Sequence, residues 1–158
     1  MADFYSLDTY EPRQGLGNLI GRVRAQLLAA LDAELARDEL LAPLEVTSAQ
    51  LIVIVSLAGR DGATSASELC KGISYDAGAM TRMLDRLEAK GLVQRTRSPA
   101  DRRLVNLELT QAGQAAYPRL REVSMRVLNH ALRDFTAAEA GSLERLLQRL
   151  ARNVGVTP

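Results

Sequence analysis

The turn Ser98-Pro99-Ala100-Asp101-Arg102-Arg103 and its flanks constrain this chain more than any other stretch. Before it, Asp76 to Lys90 is spaced as an amphipathic helix that carries Arg82 and Arg86 and is stopped by Gly91. After it, Val105-Asn106-Leu107-Glu108-Leu109 alternates apolar and polar, the period of a half-buried strand. Helix, strand, arginine-tipped turn, strand is the order of a winged helix-turn-helix. A helix fits the major groove of duplex DNA, and a basic hairpin reaches the neighbouring minor groove. The order of elements therefore points to duplex DNA as a partner.

The remaining patterning fills in such a fold. Residues 1–14 are polar, hold Pro12 and show no period, as expected of an arm. Leu16, Leu19, Ile20, Val23, Leu27, Leu28, Leu31 and Leu35 then recur at helical spacing. Thr47-x-x-Gln50 is a capping box opening a helix over 48–57. Its β-branched run Leu51-Ile52-Val53-Ile54-Val55 also suits a strand, but the cap favours helix. Gly59 to Ala63 reads as a turn. Ser65-x-x-Glu68 opens a short helix expected to run through Lys71 and stop at Gly72, with Ser74 as N-cap of the next helix. Strands are expected over 92–97 and 104–109. Thr110 caps a long helix over 111–134, with a kink expected at Pro118, and Thr136-x-x-Glu139 opens a last one over 137–153.

The first helix and the last two each carry an apolar face, and they flank the winged motif on both sides. A small winged unit cannot cover three such faces. They pack together and against a second copy, or in a monomer they cover one another; the homodimer is the simpler resolution. The expected fold is mainly α: a winged helix-turn-helix, with a three-helix core plus a two-stranded wing, and N- and C-terminal helices forming a dimerisation domain. The corresponding segments are 1–14 as an arm, 15–45 as the N-terminal dimerisation helix, 46–110 as the DNA-binding domain and 111–158 as the C-terminal dimerisation helices.

Net charge is only +1, but its distribution is uneven. Residues 1–46 hold four Arg against eight acids, whereas 82–103 hold six Arg and one Lys against three acids. Basic charge concentrated on one motif is the footprint of a phosphate-contacting surface. With one cysteine, Cys70, and one histidine, His130, neither a zinc knuckle nor a Ser-His-Asp or Cys-His constellation is available within the chain. No glycine-rich phosphate loop is present. No enzyme activity, metal or cofactor is expected. Nothing marks export, and the longest apolar run is far short of a membrane span, so the expected location is the cytoplasm, with no membrane partner.

On the helix 76–90, Tyr75, Ala77, Gly78, Thr81, Arg82 and Arg86 are the candidates for facing DNA. Glycine in a helix costs about 1 kcal/mol, so Gly78 suggests close approach of another surface. On the wing the candidates are Arg95, Arg97, Asp101, Arg102 and Arg103. Asp101 stands two residues before Arg103, placed to fix the direction of a guanidinium fork and lower the entropy lost on inserting it into a groove. Arg95 and Arg97 share one strand face; they touch phosphates, or they merely keep an edge soluble. Cys70 reads as an inert thiol within a short helix.

Two blocks together resemble the MarR family of bacterial transcription regulators: Thr81-Arg82-Met83-Leu84-Asp85-Arg86-Leu87-Glu88-Ala89-Lys90-Gly91-Leu92-Val93, and Asp101-Arg102-Arg103 with Leu107-x-Leu109-Thr110-x-x-Gly113. The likeness runs from about Gly15 to Arg152. It implies a triangular homodimer that binds pseudo-palindromic operators, and repression relieved by a small phenolic or aromatic ligand. It implies that Arg103 enters the minor groove with Asp101 in support, and that Tyr75–Lys90 is the recognition helix. Peroxide-sensing members carry a cysteine in the first helix and zinc-sensing members carry histidines; this chain has neither. The resemblance places the ligand among the first, second and fifth helices, where Arg22 or Arg24, with Tyr10 on the arm, would meet a carboxylate. Two alternatives stay open: a winged-helix regulator controlled by a protein partner, and a winged-helix module that binds protein rather than DNA.

Overall fold

The β-branched run Leu51–Val55 is helical. The structure, a computed structural model, describes residues 4–59, 64–73, 76–97 and 105–155. Its elements are α1 (Leu16–Arg37), α2 (Ser48–Ala58), β1 (Thr64–Ser65), α3 (Ala66–Ile73), α4 (Ala77–Ala89), β2 (Val93–Arg97), β3 (Val105–Leu109), α5 (Gln111–Ala131) and α6 (Ala137–Asn153), with a short 3-10 turn at Ala42–Leu44 before α2. The Thr47 side chain accepts from the Gln50 amide and the Gln50 side chain accepts from the Thr47 amide, so the expected capping box starts α2. Leu51, Val53, Ile54 and Leu57 are all buried, while Ile52 and Val55 are partly open. Helices α1, α3 and α5 and strand β3 all pack against α2. The core is completed by Leu69, by Met80, Leu84 and Leu87 of α4, by Leu92 and Leu107 of the wing, and by Leu120 and Val123 of α5.

The sheet has the order β1-β3-β2, all antiparallel. The expected two-stranded wing thus gains a third strand of two residues, Thr64 and Ser65, paired with Leu107 and Asn106. Two residues carry no period to detect. Ser65 also accepts from the Glu68 amide and so opens α3 as its box predicts. Three boundaries differ from expectation by two residues or more. Helix α3 continues through Gly72 to Ile73. The N-cap of α4 is Asp76, not Ser74: Asp76 has extended backbone and its Oδ1 accepts from the Ala79 amide at 2.9 Å. Helix α5 ends at Ala131 rather than Asp134, because the chain turns at Leu132, whose carbonyl accepts from the Phe135 amide, to reach the extended backbone of Thr136, N-cap of α6. Pro118 lies inside α5, which is one element across it.

At the root of the wing the backbone itself is packed. The end of α4 is a Schellman turn: Gly91, at φ +67°, donates to the Glu88 carbonyl, and Leu92 donates to the Leu87 carbonyl. The Leu92 carbonyl then accepts from the Thr110 amide, and Thr110 Oγ1 accepts from the Gly113 amide while donating to the Gly91 carbonyl. A Cβ on Gly113 would sit 2.1 Å from the Leu92 carbonyl oxygen. Only glycine fits.

Two carboxylates fasten α1. Asp32 accepts from the Ser48 amide at 2.6 Å and from its hydroxyl at 3.0 Å, joining α1 to the start of α2. Asp38, buried at the end of α1, accepts from Arg119 Nε at 2.9 Å and from Arg126 Nη2 at 3.3 Å, both on α5. Burial works to raise the Asp38 pKa. The hydrogen bond and charge of Arg119, the Leu40 amide and Arg126 outweigh it and hold the carboxyl below its ordinary range. By contrast α6 buries none of its residues, and Leu35 is the one buried residue of α1.

Two outcomes follow. Gly113→Ala should lose about 1–3 kcal/mol of stability from overpacking against backbone, read by urea denaturation. For Asp38 the folded-state pKa is the lower one. Its contribution is therefore present above the unfolded-state value and is lost as pH falls through the folded one. Asp38→Asn should lower Tm at neutral pH, with the gap to wild type closing below about pH 4; a gap that stays constant down to strong acid contradicts this role for Asp38.

Candidate nucleic-acid interface

Helix α4 turns Met80, Leu84 and Leu87 into the core and leaves Ala77, Gly78, Thr81, Arg82, Asp85 and Arg86 exposed. Five of the six recognition-helix candidates, all but Tyr75, lie on that exposed face. A Cβ at Gly78 would crowd the capping Asp76 Oδ1 at 3.2 Å and would make only ordinary contact with Arg82 Nη1 at 3.6 Å. Thr81 Oγ1 donates to the Ala77 carbonyl of its own helix. Arg82 and Arg86 form no ion pair among the described residues, so two unneutralised guanidinium groups stand one helical turn apart on the solvent side.

The wing ladder is paired from Val93↔Leu109 out to Arg97↔Val105. Candidates Tyr75, Asp101, Arg102 and Arg103 lie outside the described residues. Arg97, at the outer end of β2, is exposed and has no ion-pair partner among the described residues. Arg95 behaves differently. It shares the sheet face of Val93 and Leu107, both buried, and so points towards α4. There its Nη2 meets Asp85 Oδ1 at 2.7 Å and its Nη1 meets Glu88 Oε2 at 2.7 Å. The Asp85 hydrogen bond lifts the Arg95 pKa further above its ordinary value against the pull of burial, and Glu88 adds to it. In the free chain this side chain is thus held between two carboxylates. The alternation of β2 carries the signal: Arg95 has the parity of Val93.

Among the concavities that border α5, two have mainly apolar walls. A cleft of about 1020 Å³ between α1 and α5 is walled by apolar side chains such as Leu19, Val23 and Leu27, with Arg22, Arg126 and His130 among its polar groups. A groove of about 860 Å³ between α2 and α5 includes Ile52, Val55, Tyr117 and Met125. Of the ligand candidates, Arg22 lines the first. Arg24 lines neither, and Tyr10 packs on the Tyr5 ring at 5.2 Å and beside Gly15. Arg126 was not among the sequence candidates. Its spacing of seven residues from Arg119, which puts both on one face of a helix, is the available signal. No helix among the described residues is long and apolar enough to cross a membrane. Cys70, partly buried, packs against the core.

A short helix, a second helix with a cationic solvent face, and a β-hairpin packed beside it define a winged helix-turn-helix, the DNA-reading unit of transcription regulators. The MarR family model matches residues 46–105, the span from the start of α2 to the wing. The multiple antibiotic resistance protein MarR of Escherichia coli is 40% identical over 114 residues, 72% of this chain and 78% of that protein. The HTH-type transcriptional repressor MdtR of Bacillus subtilis is 32% identical over 68% of each chain. Among solved structures, a mutant of E. coli MarR complexed with operator DNA superposes with a TM-score of 0.74 at 34% identity, covering 85% of this chain and 92% of that one. The chain belongs to the MarR family, whose members are transcription regulators rather than enzymes. It is a DNA-binding winged-helix regulator.

Because Arg82 and Arg86 stabilise nothing in the free chain, Arg82→Ala and Arg86→Ala should each leave the urea unfolding free energy within about 0.5 kcal/mol of wild type. Each should weaken DNA binding in anisotropy titrations and lower the salt slope by about one for each phosphate contact removed.

Proposed function

We propose that the protein is a cytoplasmic homodimeric repressor that binds a pseudo-palindromic operator and is released by a small aromatic or phenolic ligand. The observation that carries the dimer is the uncovered apolar surface at both ends of the sequence. Leu16, Leu19 and Val23 of α1, and Leu143, Leu146 and Leu147 of α6, are all more than a third exposed. Apolar stripes of this kind on two flanking elements are closed by a second copy. In this reading 46–110 binds DNA, 15–45 and 111–158 pair the two copies, and 1–14 is an arm.

In the dimer, two copies of α4 enter successive major grooves about 34 Å apart. Tyr75, Ala77, Gly78, Thr81, Arg82 and Arg86 face the groove. Arg103, oriented by Asp101 and flanked by Arg102, enters the minor groove, and Arg97 lies near the backbone. Occupying a promoter blocks transcription without any chemistry. The proposed ligand sits in the α1–α5 cleft, its ring against Leu19, Val23 and Leu27 and its acidic group between Arg22 and Arg126. A ligand that favours one spacing of the two copies of α4 shifts the population away from the DNA-competent dimer.

Light scattering tests the pairing, and a gel-shift titration tests the wing. The purified chain should be a dimer at micromolar concentration. Arg103→Ala should remain a dimer but lose about 1–3 kcal/mol of binding to a duplex selected by the wild type. A stable monomer overturns the assembly, and undiminished binding by Arg103→Ala overturns the wing assignment.

A further inference from the structure

Carboxylates on a helix that faces a polyanion are a liability, and α4 carries two of them, Asp85 and Glu88, beside Arg82 and Arg86. Both are exposed, and both are engaged by one guanidinium arriving from the wing, Arg95, whose own side chain is 29% exposed. The geometry is a two-pronged one: each terminal nitrogen serves a different carboxylate, at 2.7 Å in each case. Within this cluster one positive charge stands against two negative ones, so in the free chain Arg95 is fully engaged by the two acids. A neighbour of the same residue type, Arg97, has the free exposure that Arg95 lacks.

We propose that Arg95 is a positioning residue for DNA binding: it contacts no phosphate, and acts through α4 by offsetting the charge of Asp85 and Glu88, which would otherwise repel the DNA backbone more strongly from the face that carries Arg82 and Arg86. The inference rests on the reading of α4 as the groove-facing helix. It differs from an ordinary surface ion pair, which contributes little to stability, because the benefit arises only when DNA is present. Like charges brought together at an interface cost several kcal/mol or appear as lost affinity, so the acids matter most in the complex.

The test uses the full chain and a duplex selected by the wild type from a random-sequence pool, titrated by fluorescence anisotropy between about 50 and 200 mM salt. Arg95→Met, which leaves both acids uncompensated, should weaken binding by at least about tenfold. The triple variant Arg95→Met, Asp85→Asn, Glu88→Gln should return to within about threefold of wild type, with the wild-type dependence of log Kd on log salt. Arg95→Lys, which keeps the charge and guards against a folding failure in the triple variant, should also stay within about threefold. If Arg95 touches phosphate, the triple variant will stay as weak as Arg95→Met with a shallower salt slope, and the proposal falls. It falls equally if Arg95→Met binds as wild type does, or if Arg95→Lys is as weak as Arg95→Met. If the wild type itself selects no duplex, the groove-facing reading of α4 fails first and takes this inference with it.

Discussion

The enclosure of α2 is the constraint on which the rest depends. Helix α2 buries Leu51, Val53, Ile54 and Leu57 along one broad arc, while Ile52 and Val55 stay partly open beside α5. Here the cover comes from both parts of the molecule. The long flanking helices α1 and α5 pack against it, and so do α3 and β3 of the winged unit. The DNA-reading unit and the flanking helices therefore share one core instead of meeting at a polar seam. At about 25 cal/mol per Å² of apolar surface removed from water, such burial is the dominant favourable contribution to folding.

Polar groups then fix the angles that apolar contact leaves loose. Asp32 holds the start of α2, and Asp38 holds α5 through Arg119 and Arg126. On the other side Arg95 holds the wing to α4 through Asp85 and Glu88. Hydrogen bonds to charged groups are directional in a way that leucine contacts are not. What these carboxylates share is their place: each bridges two elements at a junction between helices or between helix and hairpin.

Most of the architecture was legible before any coordinates, because its signals are local. Capping boxes at Thr47 and Thr136 place the starts of α2 and α6 to the residue, and the cap correctly outweighed the β-branched composition of α2. The hairpin and α4 follow from period and from Gly91. What escaped was non-local or very short. The strand Thr64–Ser65 is too brief to alternate, and it exists only because β3 offers a partner more than forty residues on. The choice between Ser74 and Asp76 as N-cap turns on backbone angles that both residue types tolerate. Asp38 gave no signal, since its partners lie 81 and 88 residues away. Arg95 was read only as a phosphate contact or a soluble edge residue; it shares the strand parity of Val93, but its two acids are visible only once α4 is laid beside the sheet. Among the site residues, the exposure of Ala77, Gly78, Thr81, Arg82 and Arg86 followed directly from helical period.

The backbone contact of Gly113 with Leu92 has a mechanical consequence. Elsewhere in the core, neighbouring segments are separated by side chains that can change rotamer and absorb a small displacement. At this junction there is no such cushion: the first turn of α5 rests on a carbonyl group, and that carbonyl belongs to the residue after the Gly91 swivel. A tilt of the α5 axis is thus delivered undamped to the base of the hairpin and to the end of α4. The joint is stiff where transmission requires stiffness, and the left-handed turn of Gly91 is itself pinned there by its hydrogen bonds.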